Sequence, residues 1–91
     1  MPTLHEVEGE VLALQAEHRD ARDGIWVLFN ADSDPTNRWY IDFLDESALA
    51  VTCQLQLLRD ALLNNLRTQL WYSDDPDYSQ RVIHQVRVYA P

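Results

Sequence analysis

The sequence predicts a mainly β domain with one helix, built from five strands in the order β-β-β-α-β-β that close into a small barrel. Three observations predict it. Five segments alternate apolar and polar residues with the period of two expected of strands. One segment, residues 51–66, changes to a period of 3.6. The first strand is long, holds a glycine in its middle and shifts phase just beyond it, as a strand that bends to join both halves of a closing sheet would. The alternative architecture is an open five-stranded antiparallel sheet with the helix packed across it.

The first strand runs from about Leu4 to Glu17. In "HEVEGEVLALQ", Glu6, Glu8 and Glu10 hold one parity and Val7, Gly9 and Val11 the other, and then Leu12 and Leu14 take the glutamates' parity. Val7, Gly9 and Val11 are therefore expected to face inward, with a bend or bulge near Gly9 to Val11 that turns Leu12 and Leu14 toward the core. "HRDARDG" is a polar turn ending in Gly24, and "IWVLFNA", Ile25 to Ala31, is the second strand. "DSDPTN" carries the Pro and Asx residues of a turn, and "RWYIDFL", Arg38 to Leu44, is the third strand. The helix is expected from Val51 to Leu66, with Val51, Leu55, Leu58, Leu62 and Leu66 in one stripe and Ala61 beside it. Thr52 is a plausible N-cap, and Ser47 would serve a longer helix. Asn64 and Asn65 suit a left-handed helix end. "TQLWYS", Thr68 to Ser73, is the fourth strand, "DDPDYSQ" a turn, and "RVIHQVRVYA", Arg81 to Ala90, the fifth strand.

Three strands in a meander, an intervening helix and a final hairpin resemble the OB-fold, a five-stranded Greek-key barrel. The stretch "LLRDALLNNLRTQLWYSDDPDYSQRVIHQVRVY" is similar to the helix-plus-hairpin half of small bacterial OB-like domains. The resemblance covers nearly the whole chain, rests on element order, and implies a fold rather than a function. Residues 1–91 are expected to form a single OB-like domain. A domain this small buries roughly 60–65% of its unfolded surface, so many of its kind gain stability from a partner.

Charge excludes several functions. The chain has fifteen acidic residues against seven arginines, no lysine, and a net charge of -8. Such a field repels phosphate and disfavours both nucleic-acid binding and an anionic membrane surface, while it suits a basic protein partner. Single-strand binding would need a basic groove around the aromatics, and here acids flank most arginines. Cys53 is the only cysteine, so an intrachain disulfide is impossible. The start "MPTLHEVEGE" lacks the basic and apolar regions of a signal peptide, and no apolar run reaches a membrane span. These features predict a cytoplasmic location.

No nucleophile elbow, phosphate loop or paired-acid motif is present, so an enzyme is not expected, nor is a cofactor. Asp32 and Asp34, and Asp74, Asp75 and Asp77, lack the ligand spacing of a calcium loop and read as turn acids. His5, His18 and His84 share no metal-ligand spacing with Cys53. His84 alternates with Val82, Val86 and Val88, which places it in or beside the core with a hydrogen-bond partner. Cys53 reads as a small packing residue.

Strands two and three are apolar on both faces. Ile25, Val27 and Phe29 oppose Trp26 and Leu28, and Trp39, Ile41 and Phe43 oppose Tyr40 and Leu44. The second apolar face is either covered by the helix and loops or left exposed; since a barrel has one inner face, an exposed patch of Trp26, Leu28 and Tyr40, with Trp71, is the expected surface for a protein partner or a second copy. An alternative is an acidic mimic of nucleic acid. Glu6, Glu8 and Glu10 would stand about 6.6–7 Å apart on one strand face, near the spacing of phosphates, and could occupy a basic DNA-binding protein. Pairing with arginines such as Arg38 or Arg87 would instead make them ordinary surface charges. A small-ligand pocket lined by Trp and Tyr is the third possibility.

Overall fold

In the computed structural model, which describes residues 3–19, 22–34, 36–43, 48–75 and 80–90, the alternating segments form β1 (His5–Arg19), β2 (Arg22–Ala31), β3 (Arg38–Phe43), β4 (Arg67–Asp75) and β5 (Gln80–Tyr89), with α1 (Ala48–Asn64) between β3 and β4. The strands close into a barrel in the order β1-β2-β3-β5-β4. All pairings are antiparallel except β3 with β5, which run parallel and meet at Ile41 and Val82. This is the expected mainly β, one-helix architecture, compatible with an OB-like fold, and it rules out the open sheet. Among the described residues, no helix is long and apolar enough to cross a membrane.

Closure runs through β1. Its first part, His5 to Gly9, pairs with β4, and the part from Gly9 to Arg19 pairs with β2. Gly9 is the overlap, opposite Ala31 on one side and Thr68 on the other. A Cβ there would lie 1.9 Å from the Asn30 carbonyl oxygen. Only a residue without a side chain lets the two backbones approach so closely.

The phase shift in β1 is a one-residue bulge. Val11 pairs with Phe29 and Ala13 with Leu28, so Leu12 is the extra residue. Val7, Gly9 and Val11 face inward before it and Leu14 after it. Leu12 departs from expectation: as the bulged residue it stays 40% exposed, and only Leu14 turns to the core. A second bulge interrupts β5. Trp71 pairs with Gln85 and Tyr72 with Ile83, which leaves His84 unpaired in the register. Ile83 and Val86 are thus both buried although their parities differ. His84 is consequently exposed at the barrel surface and not in the core, while its expected hydrogen-bond partner is present: its ring Nε2 lies 2.7 Å from the Ser73 hydroxyl.

The barrel interior is filled by Val27, Phe29, Tyr40 and Leu70, and its end is closed by α1, which contacts β1, β4 and β5. Leu58 and Ala61 of the apolar stripe are buried, and Leu62 and Leu66 pack at the cluster's margin. The ring of Tyr40 meets those of Phe29 and Tyr72 edge-on at 5.9 and 5.1 Å. The helix ends where its sequence signals place it. Asn65 has φ 53°, and the Leu66 N–H donates to the Ala61 carbonyl at 3.1 Å, a Schellman closure.

Other boundaries move as well: β4 extends to Asp75, so Asp74 and Asp75 pair with Arg81 and Gln80 in the hairpin and are not turn acids. β1 and β2 extend into "HRDARDG" until Arg19 pairs with Arg22. The helix starts at Ala48, so Thr52 lies inside it and is not its N-cap, while Ser47 lies outside the described residues. Cys53 is exposed on the helix and is not a packing residue.

The turn after β2 is held by Asp34, whose carboxylate accepts hydrogen bonds from the Arg38 side chain and, at 2.9 Å, from the Thr36 backbone N–H. Arg38, then the Thr36 amide, holds the Asp34 carboxyl below its usual value. A depressed carboxyl adds stability above its unfolded pKa of about 3.9, and that stability is lost as pH falls through the lower folded value. Arg38→Gln should therefore move the Asp34 titration upward in carboxyl-carbon NMR; an unmoved titration would reject this account. Gly9→Ala should abolish cooperative folding or lower stability by about 3 kcal/mol or more, since backbone rather than a flexible side chain must move. Leu58→Ala should cost about 2–5 kcal/mol in urea denaturation, a large share of the roughly 5–14 kcal/mol available to such a domain.

Candidate functional site

The outer surface of β2 and β3 carries the aromatic side chains that the interior does not take. In the β2–β3 register, Val27 stands opposite Tyr40, Trp26 opposite Ile41 and Leu28 opposite Trp39. Directly opposed residues share a face. Val27 and Tyr40 therefore point inward together, and Trp26, Leu28, Trp39 and Ile41 share the outside. Gly24 lies on the same outer parity, and a Cβ on it would come within 2.8 Å of the Ile41 side chain. The absence of a side chain at Gly24 lets Ile41 settle onto the sheet, where it is buried. Trp39 remains 41% exposed, and Trp26 and Leu28 are half-buried.

β1 supplies the third wall. Gln15 is opposite Trp26, and Glu17 is opposite Gly24. Gln15, Glu17, Trp26 and Trp39 line an open groove of about 400 Å³. Two indoles, a carboxylate and a primary amide offer flat π surfaces for stacking and two acceptor groups beside them.

The structure rearranges the expected aromatic patch. Trp26 and Leu28 are on it. Tyr40 is not: it is 2% exposed and belongs to the core. Burial pushes its phenol above the usual value, and the nearby Tyr72 adds to the shift. The Arg81 guanidinium lies over the Tyr40 ring at 5.8 Å. Trp39 takes its place outside. Parity within β3 had separated Trp39 from Tyr40, but the inter-strand register decides which of the two joins Trp26. Trp71 is not brought to this groove either. It pairs with Glu6 of β1 and Gln85 of β5, whereas Trp26 pairs with Gln15, nine residues along β1 from Glu6.

The glutamate row meets an arginine, though neither Arg38 nor Arg87. Arg67, at the start of β4, places Nη2 3.3 Å from Glu8 Oε2 and Nη1 4.0 Å from Glu10 Oε1, and it hydrogen-bonds Asp32. Gln69, two residues on, donates to Glu6. Arg67 is held firmly protonated, first by Asp32 and then by Glu8. The Tyr89 phenol is shifted up, mainly by its hydrogen bond to Glu8. Arg38 is committed to Asp34, and Arg87 lies over the Tyr89 ring at 5.6 Å. The ladder is thus a surface network joining β1, the β2–β3 turn, β4 and β5.

Asp32 and Asp34 each accept a hydrogen bond from an arginine. Asp74 lies 3.6 Å from His5, and Asp77 lies outside the described residues. Among the described residues, no three His, Cys, Asp or Glu side chains gather as a metal site. The Ser73–His84 contact is part-buried, with Ser73 itself buried and His84 exposed. Its evident effect is to hold the β5 bulge, where the His84 carbonyl also accepts from Gln54 of α1 at 3.1 Å.

Arg67→Ala should lower stability by about 1 kcal/mol in low salt, and the loss should shrink as salt is added, because the acids it leaves repel one another across a screened surface. A loss independent of salt in chemical denaturation would assign Arg67 a packing role instead.

No protein-family model matches the chain, and no curated protein matches it in sequence.

Proposed function

We propose that this chain is a small non-enzymatic domain of OB type that holds a protein partner, or a second copy of itself, against the outer face of β2 and β3. The observation that carries this reading is Trp39, 41% exposed beside the half-buried Trp26 and Leu28 on a barrel whose interior is already filled. Exposed aromatic and aliphatic clusters rimmed by polar groups are characteristic of interfaces, where Trp contributes disproportionately to binding. The groove is open rather than enclosed, which suits a segment of another chain better than an engulfed small molecule.

The acidic-mimic reading keeps one supporting observation: Glu6, Glu8 and Glu10 share one face of β1, with Asp32 close by through Arg67. Arg67 at the centre of that group weakens it, since a phosphate mimic gains from unbalanced charge.

Trp39→Ala should disrupt association at the aromatic face while leaving the fold intact, at a stability cost of about 1–2 kcal/mol for the part of the indole packed on the sheet. Sedimentation and capture from host lysate at low and high salt separate the two readings. An aromatic interface should persist in high salt and fail in the variant. A complex that survives Trp39→Ala and dissolves steeply with salt would favour the glutamate row and reject the aromatic face.

A further inference from the structure

We propose that the groove between Trp26 and Trp39 receives the guanidinium of an arginine from a basic segment of the partner protein. This rests on the reading of the β2–β3 face as an interface and specifies what that face selects.

The lining carries the argument. Trp26 and Trp39 occupy diagonal positions on one sheet face, with Leu28 opposite Trp39 and Ile41 opposite Trp26. Diagonal neighbours are about 7–8 Å apart at the backbone and within reach of aromatic side chains. A planar cation can therefore stack on one indole while touching the second. Trp is the strongest of the aromatic partners for a cation, and Arg combines cation–π attraction with flat stacking, which an ammonium lacks. Glu17 and Gln15 stand beside the indoles and provide the acceptors that a five-donor fork requires. Glu17 has contacts of its own, but two carboxylate oxygens accept from more than one donor.

Charge selects among occupants. The net charge of -8 draws a cationic segment toward the chain and opposes the approach of a second copy of equal charge. It equally opposes an acidic peptide. A groove of about 400 Å³ accommodates an arginine side chain together with part of its backbone. The arginine-bearing partner is thus preferred to self-association at this face.

The test titrates the full chain at physiological salt with three peptides of equal length, rich in arginine, lysine or glutamate, read by tryptophan fluorescence and calorimetry. The arginine peptide should bind, the lysine peptide several-fold more weakly, and the glutamate peptide not at all. Trp39→Leu and Glu17→Gln should each weaken arginine-peptide binding about fivefold, while Trp71→Phe and Glu8→Gln leave it unchanged. Equal binding of the arginine and lysine peptides, indifferent to Trp39→Leu, would overturn the proposal by showing attraction to net charge alone. If no peptide binds but the chain self-associates in a way that Trp39→Leu abolishes, the interface stands and its arginine selectivity falls. If neither peptide binding nor self-association depends on Trp39, both fall.

Discussion

The close contact between Gly9 and the Asn30 carbonyl is the constraint on which the rest of the molecule depends. At this point β1 is paired on both sides at once, with Ala31 of β2 and Thr68 of β4. A barrel of five strands has little circumference, and one strand must serve both halves of the sheet by bending sharply. The bend brings backbone against backbone closely enough to leave no volume for a Cβ. Once β1 is shared, β2 and β4 are placed, and the parallel contact of Ile41 with Val82 completes the ring. The helix then covers the remaining opening with Leu58 and Ala61, side chains that have no other apolar surface to meet.

Two single-residue insertions make the ring consistent with its own hydrophobic pattern. Leu12 in β1 and His84 in β5 each reverse the parity of the strand that carries them. Without the first, Val11 and Leu14 could not both contribute to the core. Without the second, Ile83 and Val86 could not. Bulges raise local twist, which a small closed barrel also requires. The bulged residues themselves are left outside, which explains an exposed leucine and an exposed histidine in strands that otherwise alternate well. The inside is then full, and the aromatic side chains of β2 and β3 that do not fit are displayed on its outer surface. Trp39 is 41% exposed there, while Ile41 is buried over Gly24.

The acidic excess is organised rather than spread evenly. Arg67 gathers Glu8, Glu10 and Asp32, and Arg38 holds Asp34. These two arginines tie strands and a turn together within the molecule, each with at least one carboxylate partner close enough to screen it. The long-range field stays negative while the local charges of the ladder are partly balanced. Such a field attracts a cationic partner, but contact energy must come from a surface that can be desolvated at low cost, and the indoles of the β2–β3 face offer one.

The amino-acid sequence by itself determined the element order, the single helix with its apolar stripe and asparagine end, a bend in β1 near Gly9, and the presence of a shift in that strand. Each is carried by neighbours in the chain: a period of two or 3.6, a residue tolerant of positive φ at 65, a glycine within a strand. It also determined that β2 and β3 have more apolar side chains than one inner face can hold. Only the tertiary structure decided which of them are left over. Trp39 and Tyr40 lie on opposite faces of β3, each face carries apolar residues, and Tyr40 is the one that is buried. Pairing Val27 with Tyr40 settles the matter, and no local pattern in either strand specifies that register. The same holds for His84 and Arg67. A bulge in β5 is invisible without its partner strand, and the arginine that meets the glutamates lies nearly sixty residues away, brought there only because the barrel closes between β1 and β4.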